Sequence, residues 1–126
     1  MKKAIATDKA PAAVGPYSQA IEAGDFIFCS GQVPIDPAAG KIVATDAASQ
    51  ARQALENVKA ILGSKGLDMS SIVKATVFAM DMKDFKAVNE VYAAYFTSEP
   101  PARSFVQVGN LPLGALVEVE VIAYKG

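Results

Sequence analysis

Two periods govern the apolar residues of this chain. Ala51, Leu55, Val58, Ile61 and Leu62 recur every three to four positions, so they fall on one stripe of an α-helix. Thr45 or Asp46 can cap its start, because a short side-chain oxygen there accepts from an otherwise unpaired backbone N–H. Gly66 suits the left-handed residue that closes a helix. A second helix is predicted to begin at Asp81 or a near neighbour, with Phe85, Val88, Tyr92, Tyr95 and Phe96 on its inner side. Pro100 and Pro101 forbid its continuation. Elsewhere, β-branched and aromatic residues in short runs predict strands over residues 2–6, 17–22, 26–30, 72–80, 103–108 and 116–124. The second and third form a hairpin around Ala23-Gly24-Asp25. Residues 10–16, 34–40 and 109–112, marked by Pro and Gly, read as loops. The fold class is therefore α+β: one six-stranded mixed β-sheet with two helices packed on one face.

Side chains alternate across a strand, so each strand divides in two. In the last one, Val117, Val119, Val121 and Ala123 make the core side, and Leu116, Glu118, Glu120, Ile122 and Tyr124 the other. Ser104, Val106 and Val108 oppose Arg103, Phe105 and Gln107; Lys74 and Thr76 share a side with Ile72, Phe78 and Met80. The side away from the helices thus mixes large apolar residues with a few charges, and Arg103 and Glu118 are both expected on it. An uncovered apolar patch of this kind marks an interaction surface. Self-association through the sheets is expected, with clefts between subunits where charges are partly desolvated.

Composition narrows the chemistry. The chain has 126 residues, of which 52% are hydrophobic and 20% charged, enough for one domain (1–126) with its own core. Twelve basic residues stand against 13 acidic ones, net −1, so no basic face is implied and nucleic acid is not an expected partner. There is no histidine, and Cys29 is the lone cysteine. That removes Ser-His-Asp and Cys-His nucleophile schemes, histidine metal sites and any disulfide framework. Cys29 reads as a small buried apolar residue. The first eight residues lack the apolar run of a signal peptide, and no segment approaches the roughly 18 apolar residues that span a bilayer. A cytoplasmic location, away from membranes, is expected.

Carboxylates, Arg, Lys, Tyr, hydroxyls and backbone groups are left to do any chemistry. Arg103 opens a strand directly after Pro100-Pro101-Ala102, where a rigid planar fork can take a carboxylate through two parallel hydrogen bonds. A surface or intersubunit salt bridge fits the same position. Glu118 and Glu120 lie two apart on one strand face; like charges so close raise each other's pKa when partly buried, which suits proton transfer. A solvated strand using charge against aggregation fits as well, and spacing does not choose between the two residues. Tyr17, Ser30 and Asn89 are candidate pocket donors, and for each the sequence pattern alone favours ordinary structural hydrogen bonding.

Four stretches carry a resemblance. Ala10-Pro11-Ala12-Ala13-Val14-Gly15-Pro16-Tyr17-Ser18-Gln19-Ala20, Ser30-Gly31-Gln32-Val33-Pro34, Pro101-Ala102-Arg103-Ser104 and Val117-Glu118-Val119-Glu120-Val121-Ile122-Ala123 resemble, in order and spacing, the motifs of the RidA (YjgF) family of reactive intermediate deaminases. The resemblance covers nearly the whole chain. It implies a chorismate-mutase-like homotrimer whose sheets form a central barrel, with active sites between subunits. It also implies cofactor-free hydrolysis of 2-iminopropanoate and 2-iminobutanoate, reached from the enamines that pyridoxal-phosphate dehydratases release, to 2-keto acids and ammonia. In that frame Arg103 binds the substrate carboxylate and Glu118 positions and activates the attacking water. Tyr17, Ser30, Gly31 and Asn89 line the pocket, and the backbone at Phe105 contacts the reacting nitrogen. Many members carry Cys where this chain has Phe105, and the larger ring is expected to reshape the pocket. A non-catalytic small-ligand-binding or chaperone-like trimer would use the same clefts. Ribonuclease activity, attached to some relatives, is disfavoured by the acidic charge and the missing histidine.

Overall fold

Asp46 is the cap: its Oδ2 accepts from the Ser49 N–H at 3.0 Å, and helix α1 runs over Ala47–Gly63 in the computed structural model, which describes residues Met1–Gly126. Gly66, at φ +73°, closes the turn beyond it, in the left-handed region a side chain rarely adopts. Helix α2 spans Phe85–Ala94 and is entered through a 3₁₀ turn, Met82–Asp84, capped by Asp81 onto the Lys83 N–H at 2.9 Å. It ends before Tyr95 and Phe96, which pack half-buried beyond it.

The strands are β1 (Lys3–Ile5), β2 (Ala20–Ala23), β3 (Phe26–Cys29), β4 (Ile35–Asp36), β5 (Lys41–Ile42), β6 (Ile72–Ala79), β7 (Ala102–Gln107) and β8 (Val117–Tyr124). Six of them make one sheet in the order β1-β2-β3-β8-β6-β7, in which β6 and β7 are parallel and the other neighbours antiparallel. The parallel pair requires a crossover, and α2 is that crossover. Leu55, Val58, Ile61 and Leu62 of α1 meet Ile27, Val77, Val117, Val119 and Val121 in a dry core. Burial pushes the Cys29 thiol up to about 12, so it is an inert core residue. No helix is long and apolar enough to cross a membrane.

Four expectations are corrected. β2 starts at Ala20, so Tyr17 lies in the preceding loop, 51% exposed. Residues 34–40 are not all loop, because β4 and β5 pair as a two-stranded ribbon. Ile72 faces the core rather than the side of Lys74: a register shift between them turns one residue over. Most consequentially, Arg103 and Glu118 do not share a face. Arg103 lies opposite Ala75 and Phe105 opposite Val77, on the helix side, whereas Glu118 lies opposite Phe78 on the uncovered side. β7 is the sheet's edge, where the helix-facing side is bordered by α2 rather than filled by α1, so a charge can stand there.

One ion cluster ties the C-terminus to the sheet. Glu22 on β2 sits 2.8 Å from Lys125 and 3.1 Å from Lys65. Hydrogen bonds from Lys125 first, then Lys65, lower its pKa to about 2 from the ordinary 4.5. A depressed carboxylate contributes stability that is present above its unfolded pKa and lost as pH falls towards its folded one. Glu22→Gln is expected to lower stability at neutral pH and to flatten its decline between pH 4.5 and 2. Urea midpoints across that range read it; an unchanged slope would count against the cluster.

Candidate active site

Strand alternation turns Val117, Val119 and Val121 into the core and leaves Glu118 half-buried on the uncovered face, beside Phe78. The facing segment is built to admit it. β3 pairs Phe28 with Ile122, and the ladder resumes at Gln32 with Val119: four residues advance on one side against three on the other. The extra residue makes a bulge at Ser30-Gly31, a common device beside sites because it re-aims the chain. Gln32 and Val119 exchange backbone hydrogen bonds of 2.7 and 3.1 Å, and Gln32 Nε2 donates to the Ser30 carbonyl at 3.2 Å. A Cβ added at Gly31 would stand 2.8 Å from Glu118 Cδ and closer still to Oε2. Burial, then the neighbouring Glu120, raises the pKa of Glu118. No cation lies within 4.0 Å of it, since the ion pairs of the chain are elsewhere.

This geometry gives a separable prediction. Gly31→Ala forces the carboxylate aside, but the obstructed atoms are the end of a flexible side chain. Thermal stability should therefore change little, while any activity that depends on Glu118 falls about tenfold or more, as expected for a misplaced catalytic group. Calorimetry and steady-state rates on the same preparation check both halves.

The loop carrying Tyr17 joins this half of the site. Ser30 N–H donates to the Gln19 carbonyl at 2.9 Å, and Ser30 Oγ donates to the Ser18 carbonyl at 2.6 Å. Buried Gln19 holds the loop from within: its Oε1 accepts from the Thr7 N–H at 2.7 Å and its Nε2 donates to the Pro11 carbonyl at 2.7 Å. Tyr17 and Gly31 line one small cavity of about 40 Å³. Tyr17, Ser30, Gly31 and Glu118 thus come together.

Arg103, Asn89 and Phe105 form a second group. Arg103 Nη1 donates to Asn89 Oδ1 at 2.7 Å, and its guanidinium lies among the rings of Tyr92, Phe105 and Phe85. No carboxylate of the chain pairs with it. The two groups point to opposite faces. Along β6 their levels differ by three residues, Ala75 against Phe78, or about 10 Å of strand. One small molecule cannot touch both within a single chain. Two larger clefts hold neither Arg103 nor Glu118: one of about 680 Å³ runs along Ala4–Asp8 and Tyr17–Gln19, another of about 510 Å³ under the end of α1.

Comparison with known proteins gives this arrangement its context. The family model described as endoribonuclease L-PSP matches residues 7–125. The 2-iminobutanoate/2-iminopropanoate deaminase of Salmonella typhimurium is 50% identical over 99% of both chains. The YjgF gene product of Escherichia coli superposes with a TM-score of 0.94 at 49% identity, covering 98% of this chain and 99% of that one. The chain belongs to the RidA/YjgF family. A further structure, that of Escherichia coli TdcF with bound serine, matches with a TM-score of 0.94 at 46% identity, over 98% of this chain and 99% of its own.

Sequence reasoning missed the residues that hold this candidate site together. Gln19 and Gln32 are buried amides that fix the Tyr17 loop and the Gly31 bulge; Gln50 and Asn57 of α1 do the same for neighbouring segments, Gln50 Oε1 accepting from the Leu116 N–H at 2.7 Å and Asn57 Nδ2 donating to the Ile35 carbonyl at 3.0 Å. A polar residue on an apolar helix stripe was the available signal for the last two. Tyr92 and Phe85 read as packing residues, and nothing in their spacing showed that a cation lies beside them.

Proposed function

We propose that the chain hydrolyses 2-imino acids and their enamine tautomers, 2-iminopropanoate and 2-iminobutanoate among them, to 2-keto acids and ammonia. It acts in the cytoplasm, without a cofactor, as a homotrimer with its sheets in a central barrel and its sites between subunits. The observation that carries this reading is Arg103: a half-buried guanidinium set among rings, with one N–H on an amide and no carboxylate of its own. Such a group is free to fork onto the carboxylate of a small acid. The opposite-face placement of Glu118 supports a second copy supplying it.

In this mechanism Arg103 holds the substrate carboxylate, the backbone at Phe105 contacts the imine nitrogen, and Tyr17, Ser30, Gly31 and Asn89 line the pocket. Ionised Glu118 takes a proton from water as the water oxygen attacks the imine carbon. The C=N π pair moves to nitrogen, which takes the proton that Glu118 has accepted. The carbinolamine hydroxyl then passes its proton to the amino group, through Glu118, as C=O forms, the C–N bond breaks and ammonia leaves. An imine is already electrophilic, so orientation plus one acid/base group, contributing about 10²–10⁴-fold, suffices. The endoribonuclease description of the family model finds less support, because the chain has no imidazole.

The test couples the protein to a threonine or serine dehydratase and follows keto-acid and ammonia release. Acceleration over buffer is expected, from a trimer by sedimentation. No acceleration sinks the proposal, and ligand binding without turnover replaces it with a ligand-holding role. A monomer with full activity would remove the intersubunit site.

A further inference from the structure

Phe85, Asn89 and Tyr92 stand at positions i, i+4 and i+7 of α2, one stripe of the helix. All three reach the same guanidinium. Arg103 Cζ lies 4.7 Å from the Tyr92 ring centroid, 5.5 Å from that of Phe105 and 5.9 Å from that of Phe85. These distances fall within the roughly 6 Å over which a ring face attracts a cation. The rings brace one another: Phe85 and Phe105 meet edge to face at 4.7 Å and 62°, and Phe96 backs Tyr92 at 4.6 Å. Tyr92 is 5% exposed, and its buried hydroxyl has no hydrogen-bond partner. The contact Tyr92 makes with Arg103 is therefore through its ring.

We propose that Phe85, Tyr92 and Phe105 form an aromatic cradle that fixes the plane of the Arg103 guanidinium, making Phe85 and Tyr92 positioning residues for carboxylate capture. The inference rests on the deaminase reading above for its catalytic consequence. Rings against a guanidinium cover its faces with carbon and leave its in-plane N–H groups for anions. Asn89 takes one N–H of Nη1, and the remaining edge is presented already ordered, so less side-chain freedom is lost when a carboxylate docks. The cradle acts on the carboxylate end and not on the proton transfer at Glu118. Its loss should therefore appear in KM rather than in kcat.

The experiment uses the assembled protein with Tyr92→Leu, Tyr92→Phe and Phe85→Leu, read in two ways. The chain has two arginines, Arg52 and Arg103, so Arg103→Lys assigns the Nε–Hε resonance of Arg103 by NMR without any substrate. In the parent this proton should be ring-current shifted and slow to exchange with water. Both Leu variants should lose the shift, exchange faster and raise KM for the imine by about 3- to 30-fold, the range a cation–π contact commands. Tyr92→Phe, which keeps the ring and removes an unpaired hydroxyl, should restore the shift and the KM. An Arg103 resonance indifferent to both Leu variants overturns the cradle, as does a fall in kcat at unchanged KM. Should Tyr92→Leu fail to assemble, Phe85→Leu decides alone, since that residue is 37% exposed and its truncation is tolerable. A parent protein with no imine hydrolysis sinks the deaminase reading only, because the resonance reports on Arg103 independently.

Discussion

Arg103→Ala is expected to lower kcat/KM for imine hydrolysis by about 10²- to 10⁴-fold. A hydrogen bond to a charged group contributes about 1.5–3 kcal/mol, and the guanidinium fork can make two of them to one carboxylate. At about 1.4 kcal/mol per factor of ten, the pair accounts for that range. Arg103→Lys keeps the charge but offers a point instead of a plane, so it should recover only a small part of the loss. Stability provides the contrast. Arg103 has no ionic partner within its chain, so its truncation orphans no buried carboxylate; what it loses is the Asn89 hydrogen bond and the ring contacts, and the melting temperature should fall moderately without unfolding the protein. If Arg103 instead served as a salt bridge between subunits, Arg103→Ala would dissociate the proposed trimer while any residual assembly kept full specific activity. Sedimentation alongside kinetics separates the two outcomes.

How far the sequence leads depends on which residues settle a feature. α1 is legible because its apolar stripe is long and its cap is local: Asp46 binds a backbone group three residues away. The face of Glu118 is legible too, because every alternate residue of β8 is a valine or alanine that must go inward. Arg103 is not, since β7 alternates charge and ring rather than polar and apolar, and only its pairing with Ala75 fixes which side it takes. That pairing depends on a parallel crossover through α2, a non-local feature that no window of sequence contains. The Ile72 bulge and the Ser30-Gly31 bulge are hidden for the same reason: one extra residue shows only against the partner strand. The motifs name Arg103 and Glu118 together but say nothing of how the sheet sets them. The pair stands on opposite faces rather than together on one.

Glu118→Gln should cost about 10²- to 10⁴-fold in kcat, the usual contribution of a positioned acid/base group, while leaving the protein as stable or more so at neutral pH. The two effects share one cause. Burial, reinforced by Glu120, raises the Glu118 pKa, so the folded state holds this proton more tightly than the unfolded chain does. In the parent, folding is therefore favoured as pH falls through that raised value, and the ionised form is a liability above it. Gln removes the liability, so its stability advantage should be full at pH 7 and shrink as the pH drops and parental Glu118 takes up its proton. Activity runs the other way: a base must be ionised, so the parental rate should fall on an acid limb set by Glu118, and the variant should lack that limb. Glu120→Gln removes only the smaller of the two causes. It should move the limb modestly to lower pH and leave the plateau rate near that of the parent. The pH–rate profiles of the three proteins decide between the carboxylates, for if Glu120→Gln erases the limb and Glu118→Gln merely shifts it, the base is Glu120.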